Sequence, residues 1–431
     1  MGTVFNAVMA VALLLLAWGF AQFVLWYRWG TAEYRRSGRA RLRLAESERF
    51  VFLIACLDEE LVIGRTVEAP RSLVPNAIVI VIDDGSDDRT GAIAAAAGAI
   101  VVRRELPSAR KGKGPALNEG FQALAAIARK RGLDPQRTIV GVLDADGRLS
   151  PNTVAAVLER FDRPAVGGVQ LPVRIRNKET FLARMQDFEF WGMSAIAQMA
   201  RVRTRSVSLG GNGQFTRLAA LQSLGPAPWS RALTEDLNLG IGLTLRGWEL
   251  DCASTAWVSQ QGVESVRALL RQRTRWYQGH MLCARRAREL WESPNVPRWT
   301  ALETTIYLLS PSFVMLPWSI AFTLGLAAFV ANAAGFSAIS FDGTEVNVMQ
   351  FAAFWYVLTF LPPVAMATLY ARRSEDESML GAVLKAHASV FYAYVNMAAG
   401  WRALGRIILG RRSWEKTSRV QEPAIELEKA A

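Results

Sequence analysis

Cysteine and histidine are nearly missing from this chain. Its 431 residues include three Cys and two His. Cys56, Cys252 and Cys283 stand far apart with no C-x-x-C spacing, which argues against a disulfide framework and against a zinc site. His280 and His387 are too few for an imidazole cluster, so any metal should be a hard cation held by carboxylates. There is no internal repeat and no low-complexity segment. The G-x-x-x-x-G-K-[ST] order of a Walker A loop is absent too. No nucleic-acid-binding motif accompanies the positive charge, so no nucleic-acid partner is expected.

Acidic residues are outnumbered, 38 Asp and Glu against 50 Lys and Arg, for a formal net charge of +12. Hydrophobic residues make up 51% and charged residues 20%. That is too apolar for an ordinary soluble enzyme and too charged for a pure transporter; it suits a soluble domain joined to membrane segments. The charge then fits an anionic substrate and a cytoplasmic juxtamembrane surface.

Residues 4–26 form an almost uncharged run long enough to span a bilayer, and Arg28, Arg35, Arg36, Arg39, Arg41 and Arg43 follow. Positive charge after the run, and none before it, predicts a span entering the cytoplasm and not a signal peptide. A second apolar region covers 302–330, interrupted by Pro311 and Pro317. The loop 332–347 carries Asp342 and Glu345 without Lys or Arg and reads as external. Residues 348–370 return to Arg372 and Arg373. Residues 379–408 include Lys385, His387, Arg402 and Arg406 and read as interfacial or re-entrant; the polar tail 411–431 should be cytoplasmic and loose. The expected plan is one transmembrane helix in 1–30, a cytoplasmic domain in 45–290, transmembrane or interfacial helices in 299–410, and a tail, in a plasma-membrane protein.

Within 50–290, short apolar runs at 52–57, 77–82 and 138–143 end in acidic residues, and helical patterns at 91–97 and 116–131 intervene. Such alternation predicts an α/β fold with a parallel sheet, whose ligands sit beyond the carboxyl ends of the strands. The acidic clusters fall at those ends. Asp58 closes the first run, and Asp84 lies in the Asp83-Asp84-Gly85-Ser86 turn after the second. Carboxylates so placed can bind ribose hydroxyls or a base N–H, although turn chemistry explains the same residues.

Lys111-Gly112-Lys113-Gly114 opens a helix and suits an anionic ligand, or a solvated basic turn. Asp144 and Asp146 stand at i and i+2 on a strand end, where both can reach one cation such as Mg²⁺ or Mn²⁺. Gly210-Gly211-Asn212-Gly213 lets backbone approach a ligand closely, or forms a plain loop. Thr234-Glu235-Asp236 has the form of a helix start, or supplies Asp236 as a general base. On a helix, Gln272, Arg275 and Trp276 share one face, offering a cation and an aromatic plate, or a basic juxtamembrane surface.

In their order, these motifs resemble the membrane-integrated family-2 glycosyltransferases, such as cellulose, hyaluronan and poly-N-acetylglucosamine synthases, over residues 50–280. The resemblance implies a GT-A fold with a mixed, mainly parallel sheet plus α-helical transmembrane segments. It also implies metal-dependent inverting transfer of a sugar from a nucleotide-sugar, UDP before GDP. Asp58 and Asp84 would hold the nucleoside, Lys113 and Asp144 would lie by the donor, and Asp146 would ligate Mg²⁺ or Mn²⁺. Asp236 takes the place of the family's base. Gln272 and Arg275 match a donor pyrophosphate motif that ends in the acceptor-binding Trp276; Gly211, Asn212 and Glu235 are further acceptor-side candidates. Expected partners are the donor, a glycan or lipid acceptor, membrane lipids and accessory or export subunits. The chain departs from the family where its first strand ends in Cys-Leu-Asp-Glu-Glu. A β-linked polysaccharide is the leading product, and single transfer to a polyprenyl-phosphate or other lipid acceptor is the alternative. A glycosidase would need carboxylates but no Lys-Gly-Lys segment.

Overall fold

The computed structural model describes residues 2–37, 48–334, 340–341, 344–345 and 348–411. Arg39, Arg41, Arg43, Asp342 and the tail beyond 411 lie outside the described residues. The chain divides into two compact units. Among the described residues, one comprises 48–177 and 207–262; the other comprises the N-terminal helix, 178–206 and the chain from 263 to 411. The division falls inside the expected 45–290 domain, because 178–206 and the helix carrying Gln272 group with the later helices.

The first unit is built on a seven-stranded sheet. Its strands are β1 (Arg49–Cys56), β2 (Ile78–Asp83), β3 (Ile100–Arg103) and β4 (Thr138–Leu143), then β6 (Val166–Gln170), β8 (Gln214–Arg217) and β9 (Glu249–Cys252). The order across the sheet is β3-β2-β1-β4-β8-β6-β9. A smaller sheet joins β5 (Arg148–Leu149), β10 (Val258–Gln260) and β7 (Val173–Ile175) in that order. β1 pairs in parallel with β2 and β4, and β2 with β3. β8 runs antiparallel to both β4 and β6. The sheet is therefore mixed, as the family resemblance implies, and the apolar runs of β1, β2 and β4 alone would have made it purely parallel.

Strands buried on both faces need continuous apolar sequence. β1 and β4 supply it: Val51, Leu53, Ile54, Ile139, Val140 and Val142 are fully buried. The helices α1 (Ile63–Leu73), α2 (Thr90–Ala96), α3 (Lys113–Arg131), α4 (Thr153–Phe161) and α5 (Glu235–Leu245) belong to this unit. Leu117, Phe121 and Leu124 of α3 are buried, while its charged residues Arg129, Lys130 and Arg131 end it before Gly132 in the left-handed region. Gly120 of α3 has Ile82 against it, where an added Cβ would stand 2.6 Å from Ile82 Cδ1. Phe215 on β8 meets Phe52 edge-on, with ring centroids 6.0 Å apart. This carries the core across the antiparallel strand.

The second unit is helical. It contains the N-terminal helix Gly2–Ser37, α6 (Val266–Cys283), α7 (Arg298–Ser310), α8 (Leu316–Ala333), α9 (Val348–Arg373) and α10 (Met379–Ile408). α10 is unbroken over its 30 residues, where the sequence admitted a re-entrant loop. Among the described residues, one helical stretch, Arg298–Ala327, is long and apolar enough to cross a membrane. It includes a π-helical turn at Pro311–Met315, where the ring of Pro311 removes a backbone donor. Arg273 of α6 is buried and ion-pairs with Glu189 at 2.7 Å, and Tyr392 of α10 donates to the same carboxylate at 2.9 Å.

Phe215→Ala should cost about 3–5 kcal/mol of folding stability, because it empties the junction of β1, β4 and β8. Thermal or denaturant unfolding measures this directly, and a loss below about 1 kcal/mol would show that the aromatic contact does not hold the two halves of the sheet together.

Candidate active site

β1, β2 and β4 run parallel, so their carboxyl ends lie along one edge of the sheet. The chain places Asp58 after β1, Asp84 after β2, and Asp144 and Asp146 after β4.

The first two ends are fastened to each other. Asp84 N–H donates to Cys56 O at 2.9 Å, Asp58 N–H donates to Ser86 Oγ at 2.9 Å, and Asp87 N–H donates to Asp58 Oδ1 at 2.8 Å. Asp58 takes a left-handed backbone with φ 49°, and Gly85 has φ 82°. The turn role belongs to Asp83, whose Oδ1 accepts from Ser86 N–H at 2.9 Å while Oδ2 pairs with Arg103 at 2.6 Å. That separates the two aspartates of the motif. Asp83 is buried and structural. Asp84 is buried beside Arg104, which ion-pairs with its Oδ1, and Arg110 N–H donates to the same oxygen at 3.0 Å. Burial pushes the Asp84 carboxyl above its usual range, and Arg110 N–H and Arg104 oppose the shift.

The second cluster forms around Lys113, the first residue of α3. Its ammonium is 2.5 Å from Asp144 Oδ1 and donates to Gly211 O at 2.6 Å. An added Cβ on Gly211 would stand 3.1 Å from Lys113 Nζ and 3.3 Å from Asp236 Oδ2. Gly211 therefore lies where any side chain would enter the space between these groups. The start of α3 also abuts the segment before α5: a Cβ on Gly114 would meet Ser230 O at 2.0 Å and Glu235 Cβ at 3.3 Å. Lys113, Asp144, Gly211, Glu235 and Asp236 are thus one constellation. Asn212 holds its loop in place: its Oδ1 accepts from Asp144 N–H at 3.1 Å, and its Nδ2 donates to Gln260 Oε1 at 3.0 Å.

Glu235 and Asp236 open α5, whose Thr234 side chain does not cap it. Leu237 N–H donates to Asp236 Oδ1 at 2.7 Å. Burial, then the charge of Asp236, pushes the Glu235 carboxyl up to about 7, against the pull of Lys113. Burial also raises Asp236, opposed first by the Leu237 N–H and then by Lys113. Carboxyls raised in this way bind a proton more tightly than ordinary carboxylates and so are better proton acceptors.

Asp146 is fully buried. Its Oδ2 accepts from Gln261 N–H at 2.9 Å, and its carbonyl accepts from Arg176 at 3.0 Å. Among the described residues, no group of three or more His, Cys, Asp or Glu could hold a metal ion. The hard oxygens of Asp144 and Asp146 fit a divalent cation whose remaining positions are filled by phosphate oxygens and water, not an all-protein cage.

Gln272, Arg275 and Trp276 lie on α6 in the helical unit. All three are partly exposed, whereas Arg273 and Thr274 between them are buried, as one shared face requires. Trp276 stacks on the Arg273 guanidinium at 4.3 Å and meets Phe190 edge-on at 6.0 Å.

Sequence reasoning missed several supporting residues. Gln170, at the end of β6, accepts from Gly210 N–H at 2.7 Å and donates to Asn212 O at 2.9 Å, so it fixes the glycine loop. Gln260, Gln261, Arg176 and Arg104 were missed as well. Each is a single polar residue in no motif, and only its tertiary partner distinguishes it.

These features define a GT-A glycosyltransferase domain. The chain belongs to the glycosyltransferase-like family 2, whose family model matches residues 48–279, more than half of its length. It is 32% identical over 236 residues to the beta-monoglucosyldiacylglycerol synthase of Synechocystis sp., covering 53% of this chain and 47% of that protein. The chain thus spans about half the length of that relative. It is 24% identical over 409 residues to the poly-beta-1,6-N-acetyl-D-glucosamine synthase of Staphylococcus epidermidis, covering 90% of this chain and 91% of that protein. Among solved structures, the mannosyltransferase PcManGT of Pyrobaculum calidifontis, in complex with GDP-Man and Mn²⁺, shares the fold. Its TM-score is 0.52 at 16% identity, over 89% of this chain and 99% of that one.

A carboxyl raised on folding binds its proton more tightly in the folded protein than in the unfolded chain. The contribution of Glu235 to stability is therefore present at low pH and falls as pH rises from 4.5 to about 7. Glu235→Gln should flatten that part of the stability–pH curve, measured as melting temperature between about pH 4 and about pH 8. An unchanged slope would remove Glu235 as its source.

Proposed function

We propose that this protein is an inverting glycosyltransferase that moves a sugar from a nucleotide-sugar to an acceptor hydroxyl at a membrane. The observation that carries this reading is the Lys113 constellation, where Asp236, Glu235, Asp144 and Gly211 surround one cation at the strand ends of a family-2 domain. Asp58 and Asp84 would receive the nucleoside, Lys113 would face the donor phosphates, and Asp236 would take the proton of the attacking hydroxyl. Gly211, Asn212 and Glu235 would border the acceptor. Gln272 and Arg275 would bind the pyrophosphate, and Trp276 would stack on an acceptor sugar.

Asp146, with Asp144 beside it, would hold Mg²⁺ or Mn²⁺ together with the diphosphate; when bound, the ion supplies positive charge opposite the departing nucleoside diphosphate. Asp236 pulls the proton from the hydroxyl as the hydroxyl oxygen bonds to the anomeric carbon and the bond to the diphosphate breaks on the opposite face. In a half-buried setting its raised affinity for a proton serves that step.

Two acceptor classes are supported by different observations. The relative aligned over most of both chains is a polysaccharide synthase, which favours a β-linked polymer. The relative with higher identity is a glycolipid synthase, which favours one transfer to a lipid. The membrane setting rests on the helix Arg298–Ala327 and on the apolar run 4–26 within Gly2–Ser37. Further spans, a cytoplasmic active site and export subunits belong to the same proposal.

Purified protein incubated with radiolabelled UDP-sugars and GDP-mannose should transfer label to glycan or lipid. A ladder of products identifies a polymerase and a single addition identifies a lipid transferase; no transfer from any donor would end the reading. Asp236→Asn should lower kcat about 10²- to 10⁴-fold with little change in donor affinity. Near-normal turnover would remove it as the base. Asp146→Ala should weaken Mn²⁺ binding measured by calorimetry in the presence of nucleoside diphosphate, and unchanged binding would remove it as a ligand.

A further inference from the structure

Arg104 is a buried cation for which the proposed chemistry has no direct use. It follows β3, and only 3% of its side chain is exposed. Its backbone N–H donates to Asp83 O at 2.8 Å, which fixes it beside the end of β2. The guanidinium then reaches three places. Nη1 pairs with Asp84 Oδ1, Nη2 donates to Ser108 O at 2.6 Å, and Nε lies 3.2 Å from Glu119 Oε2 on α3. Both contacts made to the Asp84 carboxylate, from Arg104 and from Arg110 N–H at 3.0 Å, fall on Oδ1. Oδ2 belongs to neither.

A carboxylate held through one oxygen by two donors has its orientation fixed and its other oxygen available to a ligand. The guanidinium is suited to this role because its planar fork serves several acceptors at once. Through its ion pair with Glu119, a charge contact without a hydrogen bond at Nε, it also links Asp84 to α3, the helix that begins at Lys113. The two groups proposed to grip opposite parts of the donor nucleotide are thereby referred to one buried guanidinium.

We propose that Arg104 is the positioning residue of the nucleotide site: it aims Asp84 Oδ2 at the nucleoside and fixes its separation from Lys113 by bracing α3 through Glu119. This rests on the reading of Asp84 as a nucleoside contact. Arg104 touches no reacting atom, so it acts on donor binding and not on the chemical step. Lysine at 104 keeps the charge but cannot serve Asp84, Ser108 O and Glu119 together.

The test uses the full-length protein, with UDP and GDP as calorimetric probes and donor kinetics in parallel. Arg104→Lys should weaken binding of the preferred nucleotide and raise donor KM about fivefold to tenfold, with kcat within about twofold. Arg104→Gln should weaken binding further, and the Lys variant should recover part of that loss. Glu119→Gln, which leaves the Asp84 pair intact, should raise KM about twofold to threefold. If Arg104→Lys binds nucleotide as the unaltered protein does while Asp84→Asn binds it weakly, the positioning role is wrong. If Asp84→Asn binds normally, the nucleoside assignment itself has failed. A fall in kcat at unchanged KM in Arg104→Lys would also overturn the proposal.

Discussion

The site depends on one partly buried ammonium. Lys113 lies within reach of Asp144, Glu235 and Asp236, carboxylates drawn from two other parts of the chain. Buried carboxylates repel one another and lose hydration, so each would tend to hold a proton without a cation nearby. Lys113 relieves that strain for Asp144, and its own charge is stabilised in return: burial alone would lower its proton affinity, but the carboxylates raise it above the ordinary value. Three carboxylates around one ammonium still leave excess negative charge when all are ionised. Burial first, and then this excess, raises the affinity of Glu235 for its proton. A pocket in that state is electrostatically prepared for further positive charge and for proton uptake, the two demands of glycosyl transfer.

The arrangement is possible because of backbone geometry at the strand ends and helix starts. β1, β2 and β4 are parallel neighbours, so the residues following them come out side by side. Glycine then allows the close approaches. At Gly114, backbone of the segment before α5 comes within 2.0 Å of where a Cβ would be, and no side chain could be accommodated there without moving backbone. At Gly211, the missing side chain leaves room between Lys113 and Asp236. The loop itself is held by two neutral side chains, Gln170 on its backbone and Gln260 on the Asn212 side chain, which add no charge to an already charged pocket.

The helical unit shows a similar logic at α6. Arg273 is buried and paired with Glu189, and Trp276 stacks on its guanidinium. Removing one partner of a buried pair leaves an uncompensated charge, so the pair constrains α6 strongly. The aromatic plate of Trp276 is consequently fixed from within its own unit.

The sequence by itself determined the parallel half of the fold and most of the candidate residues. Continuous apolar runs ending in acid specify buried strands and ligand-facing ends, because a strand covered on both faces tolerates no polar interruption until it leaves the sheet. Those same patterns put Asp84, Asp144 and Asp146 at strand ends, while Asp236 is a candidate through the helix start Thr234-Glu235-Asp236. The antiparallel insertion of β8 was not legible, since strand direction depends on partners distant in the chain and leaves no trace in a four-residue segment. Residue type alone did not separate Asp83 from Asp84; motif position by the family resemblance chose Asp84, and the structure gives the physical difference, since one faces Ser86 and Arg103 and the other faces Arg104 and Arg110. Local pattern records which residues must be buried or must turn; the partner that gives a charged side chain its task comes from elsewhere in the chain, and only the tertiary structure brings it into contact.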